Sequence, residues 1–223
     1  MHTLFAILAA SSLLGTQLPM DVSAETESST ALDSVTMTEI VPRLKVGDLI
    51  KNFTIPTPLS PDETTEIQLS TLLESGPVVL TFFRGSWCPY CRGELSIIQD
   101  NIEEFEALGA TVLAISPEID EKSIELGNDL ELGFYIGHDE NNKLARKLGL
   151  TFKLDAQTIK KYKNYDINVP KANGTRRWEL PIPATYVIDQ DSTIKFVFDD
   201  ENYSKRADYK KVLKVVKEIS TED

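Results

Sequence analysis

Cysteine is almost missing from this chain of 223 residues: only two occur, so no network of disulfides can staple it together. Histidine is equally scarce, and only His138 lies beyond the extreme N-terminus, which leaves too few cysteine and histidine ligands for a closed zinc site. Basic side chains are outnumbered, 23 against 35 acidic, for a net charge of −12. A surface that grips nucleic acid needs a cationic field, so that class of partner is excluded. Glycine and proline, 11 of each, follow no period, and no heptad pattern runs far, which removes collagen-like, low-complexity and coiled-coil architectures.

No apolar run reaches the roughly 20 residues of a spanning helix. The nearest is residues 4–18, uncharged and rich in apolar and small side chains, followed by the small-x-small pattern Val22-Ser23-Ala24. Residues 1–24 therefore read as a secretory signal, cleaved or retained as an anchor, and the protein as exported to a periplasm or the extracellular space, with no stable membrane insertion after cleavage. Residues 25–43 begin polar and acidic and read as a flexible lead-in. The folded domain is expected over residues 44–223.

Within it, residues 78–83 (VVLTFF) form a short β-rich run that reads as a buried strand. Leu95, Ile98, Ile102 and Phe105 then align one apolar face of a helix predicted to run from Pro89 to Gly109. Residues 111–116 read as a second buried strand and about 120–130 as a polar helix; weaker alternation covers 134–136 and 142–148. Residues 185–188 and 194–198 flank Asp189-Gln190-Asp191-Ser192, a hairpin signal, and a last helix is predicted from about 205 to 219. Residues 151–180 read as a poorly periodic insert. Alternating strands and helices imply parallel crossovers, so the expected class is α/β, one domain with a central mixed sheet covered by helices on both faces.

The two cysteines are Cys88 and Cys91, in Ser86-Trp87-Cys88-Pro89-Tyr90-Cys91, where the first strand passes into a helix. The first turn of a helix offers unpaired N–H groups and the positive end of the macrodipole, both of which favour a thiolate. Arg84 and Arg92 add positive charge nearby. Residues i and i+3 lie roughly 5–6 Å apart, within reach of a disulfide. Pro89 fits a position that needs no N–H. Two other roles remain open for the pair: a structural bridge, although so small a loop constrains the unfolded chain little, and a copper carrier using Cys88, Cys91 and His138.

At these residues the chain resembles the thioredoxin-like superfamily, and within it the peroxiredoxin-like branch of the alkyl hydroperoxide reductase and thiol-specific antioxidant family. The resemblance runs from about 44 to 216. It is carried by Lys45-Val46-Gly47-Asp48, by the stretch from Phe83 to Leu95, by Ala114-Ile115-Ser116-Pro117 and by Leu180-Pro181-Ile182-Pro183-Ala184-Thr185. The family motif, Pro-x-x-x-Thr-x-x-Cys with a Glu three residues on, places the attacking cysteine at Cys91 and the acid at Glu94. Its Thr position is Cys88 and its Pro position is Arg84. The family's catalytic Arg falls near Pro183, which in turn resembles the cis-proline facing the cysteine pair of thioredoxins. Trp87 is expected to pack beside the active turn. Tyr162, Tyr165 and Trp178 belong to the insert, as site cover or as loop anchors.

The resemblance implies an oxidoreductase that uses no cofactor and binds no metal. As a thiol peroxidase, Cys91 attacks hydrogen peroxide or an alkyl hydroperoxide, Cys88 condenses with the resulting sulfenic acid, and an external dithiol such as a thioredoxin-like protein reduces the disulfide. As a protein disulfide oxidoreductase, Cys88 attacks and Cys91 resolves. With the usual Thr and Arg replaced, charge on the departing oxygen has to be met by Arg84, Arg92 or backbone N–H groups.

Overall fold

The computed structural model describes residues 41–221. The signal and most of the lead-in expected from the sequence lie outside them. Among the described residues no helix is long and apolar enough to cross a membrane.

The chain opens with a small antiparallel pair, β1 (Thr54–Pro56) and β2 (Glu66–Gln68), and a short helix α1 (Leu69–Ser75). Strand β3 (Val78–Phe82) follows, then α2 (Pro89–Asp100), α3 (Ile102–Ala107), β4 (Thr111–Ser116), α4 (Asp120–Asp129) and β5 (Tyr135–His138). After a single 3-10 turn come α5 (Lys143–Lys147), β6 (Thr151–Lys153), α6 (Ala156–Asn164), α7 (Val169–Ala172) and β7 (Glu179–Pro181). The chain closes with β8 (Ala184–Ile188), β9 (Ile194–Asp199) and α8 (Tyr209–Ser220).

The central sheet is mixed, in the order β5-β4-β3-β8-β9. β3, β4 and β5 are parallel, whereas β8 and β9 return antiparallel through the hairpin. β3 is the middle strand, and all five of its residues are buried, which accounts for its mainly apolar composition; its one polar side chain, Thr81, donates to the Ala184 carbonyl at 3.1 Å. One face carries Val79, Val112, Ala114 and Val187 against Leu95 and Ile98 of α2, Phe105 of α3, Leu126 of α4 and Val212 and Val216 of α8. The other carries Val78, Leu80, Leu113 and Tyr186 against Leu69 and Leu73 of α1 and Ala145 and Leu148 of the α5 segment.

Three sequence expectations need correction. The helix predicted from Pro89 to Gly109 is two helices. Asn101 breaks it with φ −112° and ψ 8°, its side-chain amide donating to the Ile97 carbonyl at 2.6 Å while its own carbonyl accepts from Glu104 and starts the next helix. The last helix begins at Tyr209 rather than near 205, because Asp208 caps it by accepting from the Lys210 N–H. The aperiodic insert holds structure of its own: α6, capped by Asp155, and β6 and β7 paired with each other outside the central sheet. Three-residue strands are too short to show a period.

α2 is fixed by Leu95 and Ile98, both fully buried. Truncating Ile98 to Ala is expected to cost about 2 to 5 kcal/mol, read as a lower urea midpoint with an unchanged denaturant slope.

Candidate active site

β3 ends where Phe83 N–H donates to the Ile115 carbonyl, and the chain leaves the sheet at Arg84. Gly85 takes φ +146°, and a Cβ there would lie 2.6 Å from the Trp87 indole nitrogen, so only glycine lets the ring fold back over the turn. Ser86 is pinned by Glu118, at the end of β4: the carboxylate accepts from the Ser86 N–H at 2.6 Å and from its hydroxyl at 3.0 Å. Cys88 then occupies the N-cap of α2, with Pro89 in the first turn. Its carbonyl accepts from the N–H groups of Cys91 and Arg92, both at 3.0 Å. Cys88 and Cys91 are both reduced and have 0% exposure.

Each sulfur has its own guanidinium. Arg84, 2% exposed, donates through Nη2 to Cys88 Sγ at 3.2 Å and through Nη1 to the Tyr162 hydroxyl at 2.7 Å. Its charge lies 4.1 Å from the Tyr203 ring centre and 5.2 Å from that of Trp87, so aromatic faces replace the water it gave up. Trp87 in turn meets Tyr162 edge-on at 5.6 Å. Arg206, in the connection between β9 and α8, donates through Nη2 to Cys91 Sγ at 3.2 Å and pairs through Nε with Glu94 at 2.6 Å. Glu94, on the inward face of α2, also accepts from the Tyr209 hydroxyl at 3.2 Å.

These contacts divide the two thiols. The Cys88 thiol is lowered to about 5, chiefly by the hydrogen bond from the Cys91 thiol and then by Arg84, against the opposing effect of burial. Burial pushes the Cys91 thiol up, and the neighbouring Cys88 sulfur pushes it further. Both shifts run in the direction that favours the anion at Cys88 over Cys91. Glu94 is pushed up to about 7 by burial, with Arg206 opposing.

Of the residues singled out in the sequence, Cys88, Cys91, Arg84, Trp87 and Glu94 come together here. Pro183 is buried in the connection between β7 and β8, one residue before Ala184, which pairs with Phe82 at the same end of β3. Its carbonyl accepts from Asp200 N–H at 3.4 Å. Arg92 faces outward to Asp129 at 3.4 Å and plays no part. The copper arrangement is not assembled: His138 Nδ1 pairs with Asp120 at 2.6 Å, and among the described residues no three histidine, cysteine or acidic groups are placed to hold a metal. Tyr162 belongs to the site, whereas Trp178 packs within the insert. Sequence reading missed Arg206, Tyr203, Tyr209 and Glu118. No spacing flags them, since the topology alone brings them to the cysteines. A groove of about 450 Å³ adjoins the turn, lined by Ser86, Trp87, Glu118, Ile119, Tyr165 and Ile167. On the other side, Tyr90 of the first turn of α2 meets Tyr203 edge-on at 5.9 Å.

Titration of the reduced protein by thiolate absorbance is expected to show one thiolate appearing as pH rises through about 5. Arg84→Gln removes a cation that favours the anion, so the midpoint should move upward; an unmoved midpoint would refute the role given to Arg84.

Comparison with known proteins bears on the family and the fold. The sequence model of the AhpC/TSA family matches residues 46–197. Peroxiredoxin Bcp of Escherichia coli K12 is 27% identical over 165 residues, covering 74% of this chain and 92% of that protein. The chloroplastic peroxiredoxin Q of Oryza sativa subsp. japonica is 23% identical over 189 residues, covering 85% and 73%. Among solved structures, peroxidoxin BcpB of Mycobacterium tuberculosis superposes with a TM-score of 0.62 at 23% identity, over 79% of this chain and 99% of that one. The AhpC of the same organism gives 0.60 at 18%, over 82% and 96%. The central mixed sheet is thus that of a thioredoxin-like fold, and with the family model spanning most of the described residues, including the cysteine turn, the chain belongs to the AhpC/TSA family.

Proposed function

We propose that the protein is a thiol-dependent peroxidase that reduces hydrogen peroxide or an alkyl hydroperoxide through a Cys88/Cys91 dithiol–disulfide cycle. The observation that carries this reading is the pair of sulfurs at a helix N-terminus, each 3.2 Å from a guanidinium nitrogen, that of Arg84 buried and that of Arg206 partly so. Family membership supports it, as do the names of the relatives.

In the first step the Cys88 thiolate attacks one oxygen of the O–O bond. The sulfur becomes a sulfenic acid, and the other oxygen leaves as hydroxide or alkoxide and takes a proton. Arg84, touching the reacting sulfur, is placed to offset the charge as it moves onto oxygen. Cys91 then condenses with the sulfenic acid, releasing water and closing the disulfide, which an external dithiol protein of thioredoxin type reopens. The family motif lays the attacking role on Cys91. The surroundings of the two sulfurs favour the opposite order, because the Cys91 hydrogen bond and Arg84 favour the anion at Cys88 while burial opposes it at Cys91.

The competing reading, a protein disulfide oxidoreductase, draws on the same Cys88 thiolate. Burial of both sulfurs hinders every protein partner alike, reductant or substrate, so it is the AhpC/TSA match across the cysteine turn that favours the peroxidase. Export is proposed alongside, on the apolar residues 4–18 and the small-x-small pattern that ends at Ala24.

Two measurements test these proposals. Cys91→Ser should consume one equivalent of peroxide and leave a sulfenic acid on Cys88 that dimedone traps, with insulin reduction negligible. Cys88→Ser should lose the first turnover by at least about 100-fold. Rapid first turnover in Cys88→Ser would return the attacking role to Cys91, and insulin reduction without peroxide loss would support the oxidoreductase. N-terminal sequencing of the protein from its native cells should begin at Glu25; an intact Met1 would exclude cleavage.

A further inference from the structure

Closing the disulfide requires Cys91 to become an anion in a place where burial opposes it. Nothing on its own helix supplies the counter-charge, since Arg92 turns away to Asp129. The cation comes from the far end of the domain. Arg206 is three residues ahead of α8 and beyond the matched family segment, which ends at 197. One edge of its guanidinium faces Cys91 Sγ at 3.2 Å, and its Nε faces Glu94 at 2.6 Å. Glu94 is 2% exposed and held by Tyr209, whose hydroxyl also engages Thr81 and Thr185 of the central sheet. One cation thus lies between two acids, the Cys91 thiol and the Glu94 carboxyl, either of which can carry a negative charge.

Resting on the peroxidase reading, we propose that Arg206 is a catalytic residue for disulfide closure, stabilising the Cys91 sulfur anion, and that Glu94 is the positioning residue that aims its guanidinium. In this step the Cys91 S–H bond breaks and its sulfur attacks the Cys88 sulfur of the sulfenic acid. The S–S bond forms and the S–O bond breaks. Cys91 sulfur is oxidised, Cys88 sulfur is reduced, and the proton from Cys91 leaves on the departing hydroxide as water. When Glu94 is protonated, the charge of Arg206 faces the sulfur alone; when Glu94 is ionised, the charge is shared. The groups facing Glu94 are Arg206 and Tyr209 from the β9–α8 region and Cys88 at the N-cap of its own helix. Burial pushes its carboxyl up to about 7, so its ionisation should be visible in the rate of closure near neutral pH.

The test mixes reduced full-length protein rapidly with one equivalent of hydrogen peroxide. It follows peroxide loss and disulfide formation separately, with dimedone adducts located by mass spectrometry. Arg206→Gln is expected to slow closure about 100-fold relative to the peroxide step, with the adduct accumulating on Cys88. Arg206→Lys keeps the charge but not the two-edged fork, and closure should be about tenfold slower than in wild type. Because Lys is the milder change, this variant decides the matter if Arg206→Gln fails to fold. Glu94→Gln should remove an inflection near pH 7 from the closure profile. Closure within twofold of wild type in Arg206→Lys and Arg206→Gln, an adduct on Cys91 instead of Cys88, or a closure profile unchanged in Glu94→Gln would overturn the proposal. A wild-type protein that consumes no peroxide would overturn the peroxidase reading itself, a separate result.

Discussion

Two buried sulfur atoms lie beside one buried and one half-buried guanidinium group, and much of the molecule is arranged to make that tolerable. A cation taken out of water is costly unless other groups replace its hydration. Around Arg84 the replacements are a thiolate, a tyrosine hydroxyl and two aromatic faces. Around Arg206 they are a sulfur, a carboxylate and the backbone carbonyls of Tyr203 and Lys205. Removing any one of these partners leaves charge exposed to a medium that solvates it poorly, so the site is coupled more tightly than a list of its contacts suggests.

The antiparallel half of the sheet makes this arrangement possible. β3, β4 and β5 build the end of the sheet from which the cysteine turn emerges, and β8 and β9 then bring the chain back beside β3. The connection that follows β9 crosses the same end and delivers Tyr203 over Arg84 and Arg206 onto Cys91. The motif-bearing part of the domain supplies the nucleophiles and one cation, and the C-terminal part supplies the second cation and the wall. The family's Thr and Arg are absent from their motif positions, where Cys88 and Pro183 stand, and the cations beside the two sulfurs are Arg84 and Arg206, the latter outside the family-matched segment.

Much of this was legible in the sequence. The uninterrupted run 78–83 reads as a central strand because full burial selects apolar, β-rich residues on both faces. The three-and-four spacing after Pro89 reveals the face of α2 that packs on the sheet. The cysteine pair, with Arg84, Trp87 and Glu94, is local to one turn, and local relations survive in sequence. Arg206 and Tyr203 were not legible, because more than 110 residues separate Arg206 from the cysteine it serves. The break at Asn101 escaped as well: the apolar period continues across it, and only a side-chain amide competing for a backbone carbonyl reveals it. β6 and β7 are shorter than any period they could display.

The edge contact between Tyr90 and Tyr203 is the seam between the cysteine helix and the C-terminal connection. Both rings are partly exposed to solvent, at 48% and 38%. Such a pair contributes only about 0.5 to 1.5 kcal/mol beyond its buried area. A contact that weak can open while Arg206 stays on Cys91 and Glu94, so the outer layer of the site exchanges with solvent more readily than the sulfurs beneath it.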